Sequence, residues 1–75
     1  MVRFELAAAS RAQIEILGVD GRAVRTLASG WRAAGSYALP WDGHDDHGQR
    51  VQPGVYFVRL LAGDRRETGR LIVLE

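Results

Sequence analysis

Val2, Phe4 and Leu6 alternate with Arg3 and Glu5, and Ala12, Ile14 and Ile16 alternate with Gln13 and Glu15. A period of two places each apolar set on one side of an extended chain, so both stretches are predicted to be half-buried strands. Ala7-Ala8-Ala9 between them is too short to nucleate a helix and reads as a loop. Asp20-Gly21 predicts a tight hairpin in which both central residues take positive φ, with a third strand from Arg22 to Leu27. Val24 and Leu27 are spaced so that they cannot share a face of a regular strand. A bulge or a helical turn would resolve this, the bulge being preferred. Ser29-Gly30 and Ala34-Gly35 set off a short segment around Trp31, after which Tyr37, Leu39 and Trp41 resume the alternation. Pro40 has no amide to donate, so this strand is expected at an edge or leaving its sheet there.

The stretch from Trp41 to Leu60 organises the rest. Asp42, Gly43, Asp45, Asp46 and Gly48 form a run of turn residues, and a brief extended piece through Arg50 and Val51 leads to Pro53-Gly54. The longest alternation follows, from Val55 to about Ala62. Tyr56, Val58 and Leu60 share one face, while Val55, Phe57 and Leu61 share the other with Arg59. Both faces are partly apolar, which places this strand centrally in its sheet. Gly63-Asp64 turns the chain into a last strand, Arg66 to Leu74, with Leu71 and Val73 directed inward. About seven short, mainly antiparallel strands and no helical period indicate an all-β fold, an immunoglobulin-like β-sandwich. Phe4, Leu6, Ile14, Ile16, Leu39, Trp41, Tyr56, Val58 and Leu71 are its expected core.

Length and composition sharpen the class. The chain has 75 residues, enough for one small domain and no second core. It has no cysteine, so stability must come from packing without disulfides or thiolate metal sites. The net charge is +1, with arginines and carboxylates interspersed; nucleic-acid binding, which needs a clustered basic face, is not expected. All ten Lys+Arg residues are Arg, a bias that reads as a GC-rich bacterial genome rather than as function. No apolar run reaches the length of a membrane-spanning helix, so membrane insertion is not expected either. The N-terminal alternation lacks the continuous apolar block of a signal peptide. Residues 1–75 are expected to be a single domain cut from the C-terminal part of a longer chain, with Met1 an added start.

The order of motifs is that of a known family. A strand ending in Asp20-Gly21-Arg22, a segment with Leu27 and Gly30, then Ala34-Gly35 and Trp41-Asp42-Gly43 come first. Asp45 with Gly48, Gly54-Val55-Tyr56-Phe57 and a final apolar strand follow. The chain resembles, over almost its whole length, the immunoglobulin-like domain of bacterial flagellar hook-capping proteins. It is similar also to the C-terminal modules of large secreted bacterial proteins, including type IX secretion sorting domains. The resemblance implies a small sandwich appended to something larger and acting in assembly, attachment or export, hence an extracellular or cell-surface location. The partners it implies are other domains or subunits of a larger assembly. Asp20, Gly21, Trp41, Asp42, Gly43, Gly48, Gly54 and Tyr56 fall on the family's recurrent positions, which are structural. His44 and His47 depart from its pattern.

No residue pattern points to catalysis. Ser10, Ser29 and Ser36 lack a neighbouring base or a nucleophile elbow, and so small a domain has little room for a pocket, so no small-molecule ligand or cofactor is expected. Asp42, Asp45 and Asp46, with His44 and His47, are the candidate metal ligands. Their spacing is not that of a calcium-binding EF-hand loop, and a solvated turn accounts for them better. Trp31, Trp41, Tyr37 and Tyr56 suggest an alternative class, a carbohydrate-binding module. Trp41, Tyr37 and Tyr56 share faces with aliphatic residues and read as core; Trp31 is expected to cap an open end of the sandwich.

Overall fold

The computed structural model describes residues 1–74. Its strands are β1 (Val2–Leu6), β2 (Ser10–Leu17), β3 (Ala23–Arg32), β4 (Gly35–Leu39), β5 (Gly54–Ala62) and β6 (Arg65–Val73). β1 and β4 form a two-stranded sheet, and β3-β2-β5-β6 a four-stranded one. Every pairing is antiparallel. The two sheets pack face to face as an immunoglobulin-like β-sandwich.

The described residues hold six strands where about seven were expected. The segment around Trp31 is no separate piece, because β3 runs through Gly30 to Arg32. The stretch through Arg50 and Val51 contributes one isolated bridge, His44 to Arg50, and no strand. β5 is central, between β2 and β6, as its doubly apolar pattern requires.

β3 shows why its sequence pattern broke. Ile14 pairs with Ala28 and Glu15 with Thr26, so the register passes over Leu27; Ile16 pairs with Arg25 and Leu17 with Ala23, so it passes over Val24. Each skipped residue is the extra one of a β-bulge. Together the bulges let Val24 and Leu27 both pack on the core despite their spacing.

The interior is built from the inward faces of β1, β2 and β5. Val2, Leu6, Ala12, Ile14, Ile16, Leu60 and Ala62 are buried, with Ile14 and Ile16 fully inaccessible. Of the expected core, Leu6, Ile14 and Ile16 are buried, whereas Phe4, Leu39, Trp41, Tyr56, Val58 and Leu71 are partly buried and packed against them. Phe4 stacks on its cross-strand partner Tyr37 at 5.0 Å between ring centres. A six-stranded domain has too little depth to enclose aromatics of this size completely.

The outer face of the four-stranded sheet carries Glu15, buried among its neighbours and paired with Arg59 on the adjacent strand. Arg59 Nη2 donates to Glu15 Oε1 at 2.6 Å and Nε donates to the same oxygen at 3.1 Å. The pair satisfies both charges beside Leu17 and Phe57. Trp31 lies on this outer face too, across from Arg11. No second layer covers it, and it is 70% exposed rather than a cap.

Candidate functional site

Residues 40–53 form the long connection between β4 and β5, and they fold back against the edge of β3. Their local shape repeats one found in the β2–β3 hairpin. There, Gly18 N–H donates to Arg22 O at 2.9 Å and Gly21 N–H to Gly18 O at 3.0 Å. In the long connection, Asp45 N–H donates to Gln49 O at 2.8 Å and Gly48 N–H to Asp45 O at 3.0 Å. Both are three-residue loops, Val19-Asp20-Gly21 and Asp46-His47-Gly48, closed by a glycine in the left-handed region, φ 83° and 80°. This is a type I turn followed by a glycine bulge. The two-residue hairpin expected at Asp20-Gly21 is therefore replaced by a longer loop, and Asp20 keeps negative φ. A positive φ falls on the glycine alone, where it costs no Cβ clash.

The aspartates of the connection each hold main-chain amides. Asp42 Oδ1 accepts from His44 N–H at 3.0 Å. Asp45 Oδ1 accepts from His47 N–H and Gln49 N–H, each at 2.9 Å. Asp46 Oδ1 accepts from Thr26 N–H of β3 at 3.1 Å, while Asp46 N–H donates to Val24 O at 3.0 Å. The carboxyl of Asp42 is held below the ordinary carboxylate range, first by the His44 amide and then by the charges of His44 and Arg25. That of Asp45 is lowered by the Gln49 amide and next by the His47 amide. Among the described residues, no three His, Cys, Asp or Glu side chains converge as metal ligands. Asp42, Asp45 and Asp46 point at separate amides.

Arg25 ties the connection to β3. Its Nη1 donates to His44 O at 3.0 Å and lies 3.5 Å from both Asp45 O and Asp42 Oδ1. Trp41 Nε1 donates to the same His44 carbonyl at 2.9 Å, and its ring meets Tyr56 edge-on at 5.8 Å and 71°. Tyr56 Oη in turn donates to Gln52 O at 2.6 Å, just ahead of Gly54 and the start of β5. Gly43, with φ 78°, gives its carbonyl to Val51 N–H at 2.9 Å. Asp42, Gly43, Gly48, Trp41, Gly54 and Tyr56 thus meet in one corner, while Asp20 and Gly21 lie in the separate β2–β3 loop.

The corner covers part of a sheet edge, at Val24 and Thr26 of β3. β3 is an outer strand of its sheet, and an exposed outer strand is a template for unwanted pairing. Asp46 takes up the Val24 carbonyl and the Thr26 amide, and Arg25 holds the loop in place. Sequence reasoning did not find Arg25, whose partners lie 17 to 20 residues away. Its only trace was its position between the two misaligned apolar residues of β3.

A sandwich with this strand order, a capped edge and an arginine-locked corner is a structural β-module. The model of the FlgD Ig-like domain family matches residues 2–65, and the chain belongs to that family. No curated protein and no solved structure matches it. The matched span takes in the first five strands and the corner and ends at the first residue of β6.

Proposed function

We propose that this chain is a non-catalytic docking module of a larger bacterial assembly, of the flagellar hook-capping kind, and that it works outside the cytoplasm. Family membership carries this reading. The polar side chains support it: the carboxylates of the corner are committed to main-chain amides, and the Glu15–Arg59 pair is closed on itself. Groups engaged in this way hold a shape; they are not poised to move protons. In this reading residues 1–75 are one domain of a longer protein whose other parts carry out its activity, and export by a sorting route is one way to its site of action. An in-frame deletion of residues 2–74 in the native host tests the reading. The surface structure should then fail to assemble, and assembly at wild-type levels would remove the docking role.

Carbohydrate binding is the second reading, favoured by the exposure of Trp31 alone, since Trp41, Tyr37 and Tyr56 are packed on the core. Titration against a glycan panel with Trp fluorescence decides it. Quenching at millimolar glycan or below, lost in Trp31→Ala, would replace docking with sugar recognition.

A further inference from the structure

Strand alternation sorts charges that are interspersed along the chain. Ala12, Ile14 and Ile16 of β2 face the core, so Arg11, Gln13 and Glu15 face outward. Directly paired residues share a face, which puts Trp31 beside Arg11, Leu61 beside Gln13 and Arg59 beside Glu15 on the outer side. On β6 the outward residues are Arg66, Thr68, Arg70 and Ile72, while Arg65 and Glu67 pair with each other on the opposite side. The outer face of the larger sheet therefore holds Arg11, Arg59, Arg66 and Arg70 against a single carboxylate, Glu15, which Arg59 neutralises. Among the described residues, Arg11, Arg66 and Arg70 have no carboxylate within salt-bridge reach.

Exposed apolar side chains gather on the same face. Trp31 is 70% exposed, Ile72 60% and its cross-strand partner Val55 41%. Half-buried Phe57 and Leu61 lie along β5 with Arg59 between them, and their partners on β6 are Arg70 and Arg66. Arginines and apolar residues thus alternate across the whole face. This mixture selects its partner. The centre of a protein–protein interface is depleted of charge, which is kept to the rim, whereas here the arginines stand among the apolar residues. A second copy laid on this face would bring arginines against arginines. A nucleic acid offers phosphates but no apolar layer for Val55 and Ile72. A lipid interface offers both in order of depth: phosphates at the height of the guanidinium heads, and acyl chains just below for the apolar side chains and arginine stems. Trp is favoured at that boundary.

We propose that the outer face of the four-stranded sheet lies against an anionic lipid surface. Arg11, Arg66 and Arg70 meet the lipid phosphates, and Trp31, Val55 and Ile72 reach the boundary between headgroups and acyl chains. The contact is peripheral: no helix among the described residues is long and apolar enough to cross a membrane. The inference goes beyond the docking reading, since it names the surface on which the module rests and not the subunit it joins. Charge and burial act together here. Arginines alone would hold any soluble polyanion, and the apolar residues alone would not distinguish an anionic from a neutral bilayer.

The test is co-sedimentation of the chain with vesicles of phosphatidylcholine alone or of phosphatidylcholine and phosphatidylglycerol in equal parts. Only the anionic vesicles should carry the protein down, and raised salt should weaken the binding. Trp emission should move to shorter wavelength on binding, and the shift should vanish in Trp31→Phe. An Arg66→Gln, Arg70→Gln double variant should bind roughly 30-fold more weakly, the factor expected for two arginines at an anionic surface. Val55→Thr with Ile72→Thr should weaken binding ~10-fold or more. These side chains are exposed, so the variants should melt near wild type, and Arg3→Gln on the smaller sheet should bind as wild type does. Equal binding to neutral vesicles, or wild-type affinity in the double arginine variant, would overturn the proposal. So would wild-type affinity in the threonine variant, which would mean that a soluble polyanion suffices. Self-association lost in the threonine variant would assign the face to a second copy. Trp31 shielded from acrylamide without lipid, in the longer protein that carries the domain, would place a flanking segment there; either result overturns the lipid contact. If vesicle binding fails while deletion of the domain blocks assembly in the host, docking stands and the lipid contact falls.

Discussion

Truncating Trp41 to alanine should lower the stability of this domain by about 3 kcal/mol. Removing a wholly buried Trp costs roughly 3–5 kcal/mol. Trp41 is only partly buried, so packing supplies about half of that, roughly 2 kcal/mol. Its edge-on contact with Tyr56 adds about 0.5–1.5 kcal/mol. The lost Nε1 hydrogen bond adds only about 0.5 kcal/mol, because the His44 carbonyl keeps Arg25 as a donor. A domain of this length has on the order of 4–11 kcal/mol in total. At about 4–8 °C per kcal/mol, the melting temperature should fall by roughly 12–24 °C, read by far-UV circular dichroism. Tyr56→Ala and the double variant complete a cycle, in which the shared contact should appear as a coupling of about 1 kcal/mol. A fall of less than about 5 °C, or strict additivity of the two truncations, would show that the corner is not held by these rings.

The other expectations concern the loop and the last strand. Asp42 and Asp45 have folded pKa values below the ordinary one, so their contribution is complete above the unfolded value of about 3.9 and is lost as pH falls through the folded values. The melting temperature of wild type should therefore drop below about pH 4 more steeply than that of an Asp42→Asn, Asp45→Asn double variant, and parallel curves would refute this. Millimolar Ca²⁺ or Zn²⁺ should leave the thermal midpoint unchanged, whereas a site at a hundred times its Kd would add about 2.7 kcal/mol and show as a clear rise. Asp46→Ala removes the acceptor of the Thr26 amide and should raise the tendency to self-associate, seen by sedimentation; a strictly monomeric variant would mean the β3 edge needs no such guard. Deletion of residues 69–75 takes away the part of β6 that pairs with Val58, Tyr56 and Gly54. It should unfold a domain with about 5 kcal/mol to lose, and a soluble, cooperatively melting product would refute that.

What could be read from the sequence is what depends on neighbours along the chain. Period-two alternation exposed β1, β2 and β5 because burial on one face acts on every second residue. The clash between Val24 and Leu27 exposed the β3 bulges because two apolar residues out of register still have to reach one core. The resemblance to the hook-capping immunoglobulin-like domain, carried by motifs in order, agreed with the family match over residues 2–65. Asp42 and Asp45 of the long connection were readable as turn residues because the amides that donate to them lie two to four residues on.

What escaped depends on contacts between distant segments. The partition into four and two strands, the burial of Glu15 beside Arg59 and the exposure of Trp31 are set by which strand lies over which, and alternation is silent on that. The sharpest case is β6. Its sequence shows a glycine between Thr68 and Arg70, a feature that by itself only lowers strand propensity. The register with Val58 turns that glycine inward, the space above it is open, and Arg65 reaches across to a residue 60 positions earlier. A local weakness in the strand becomes, in three dimensions, the floor of a groove beside an unpaired edge. Asp46 covers one edge of the larger sheet at Val24 and Thr26, and Arg65 bonds the Glu5 carbonyl of β1 in the smaller sheet. Contacts of this kind join segments far apart in the chain and occupy main-chain groups at strand edges, which is why neither could be read from local pattern.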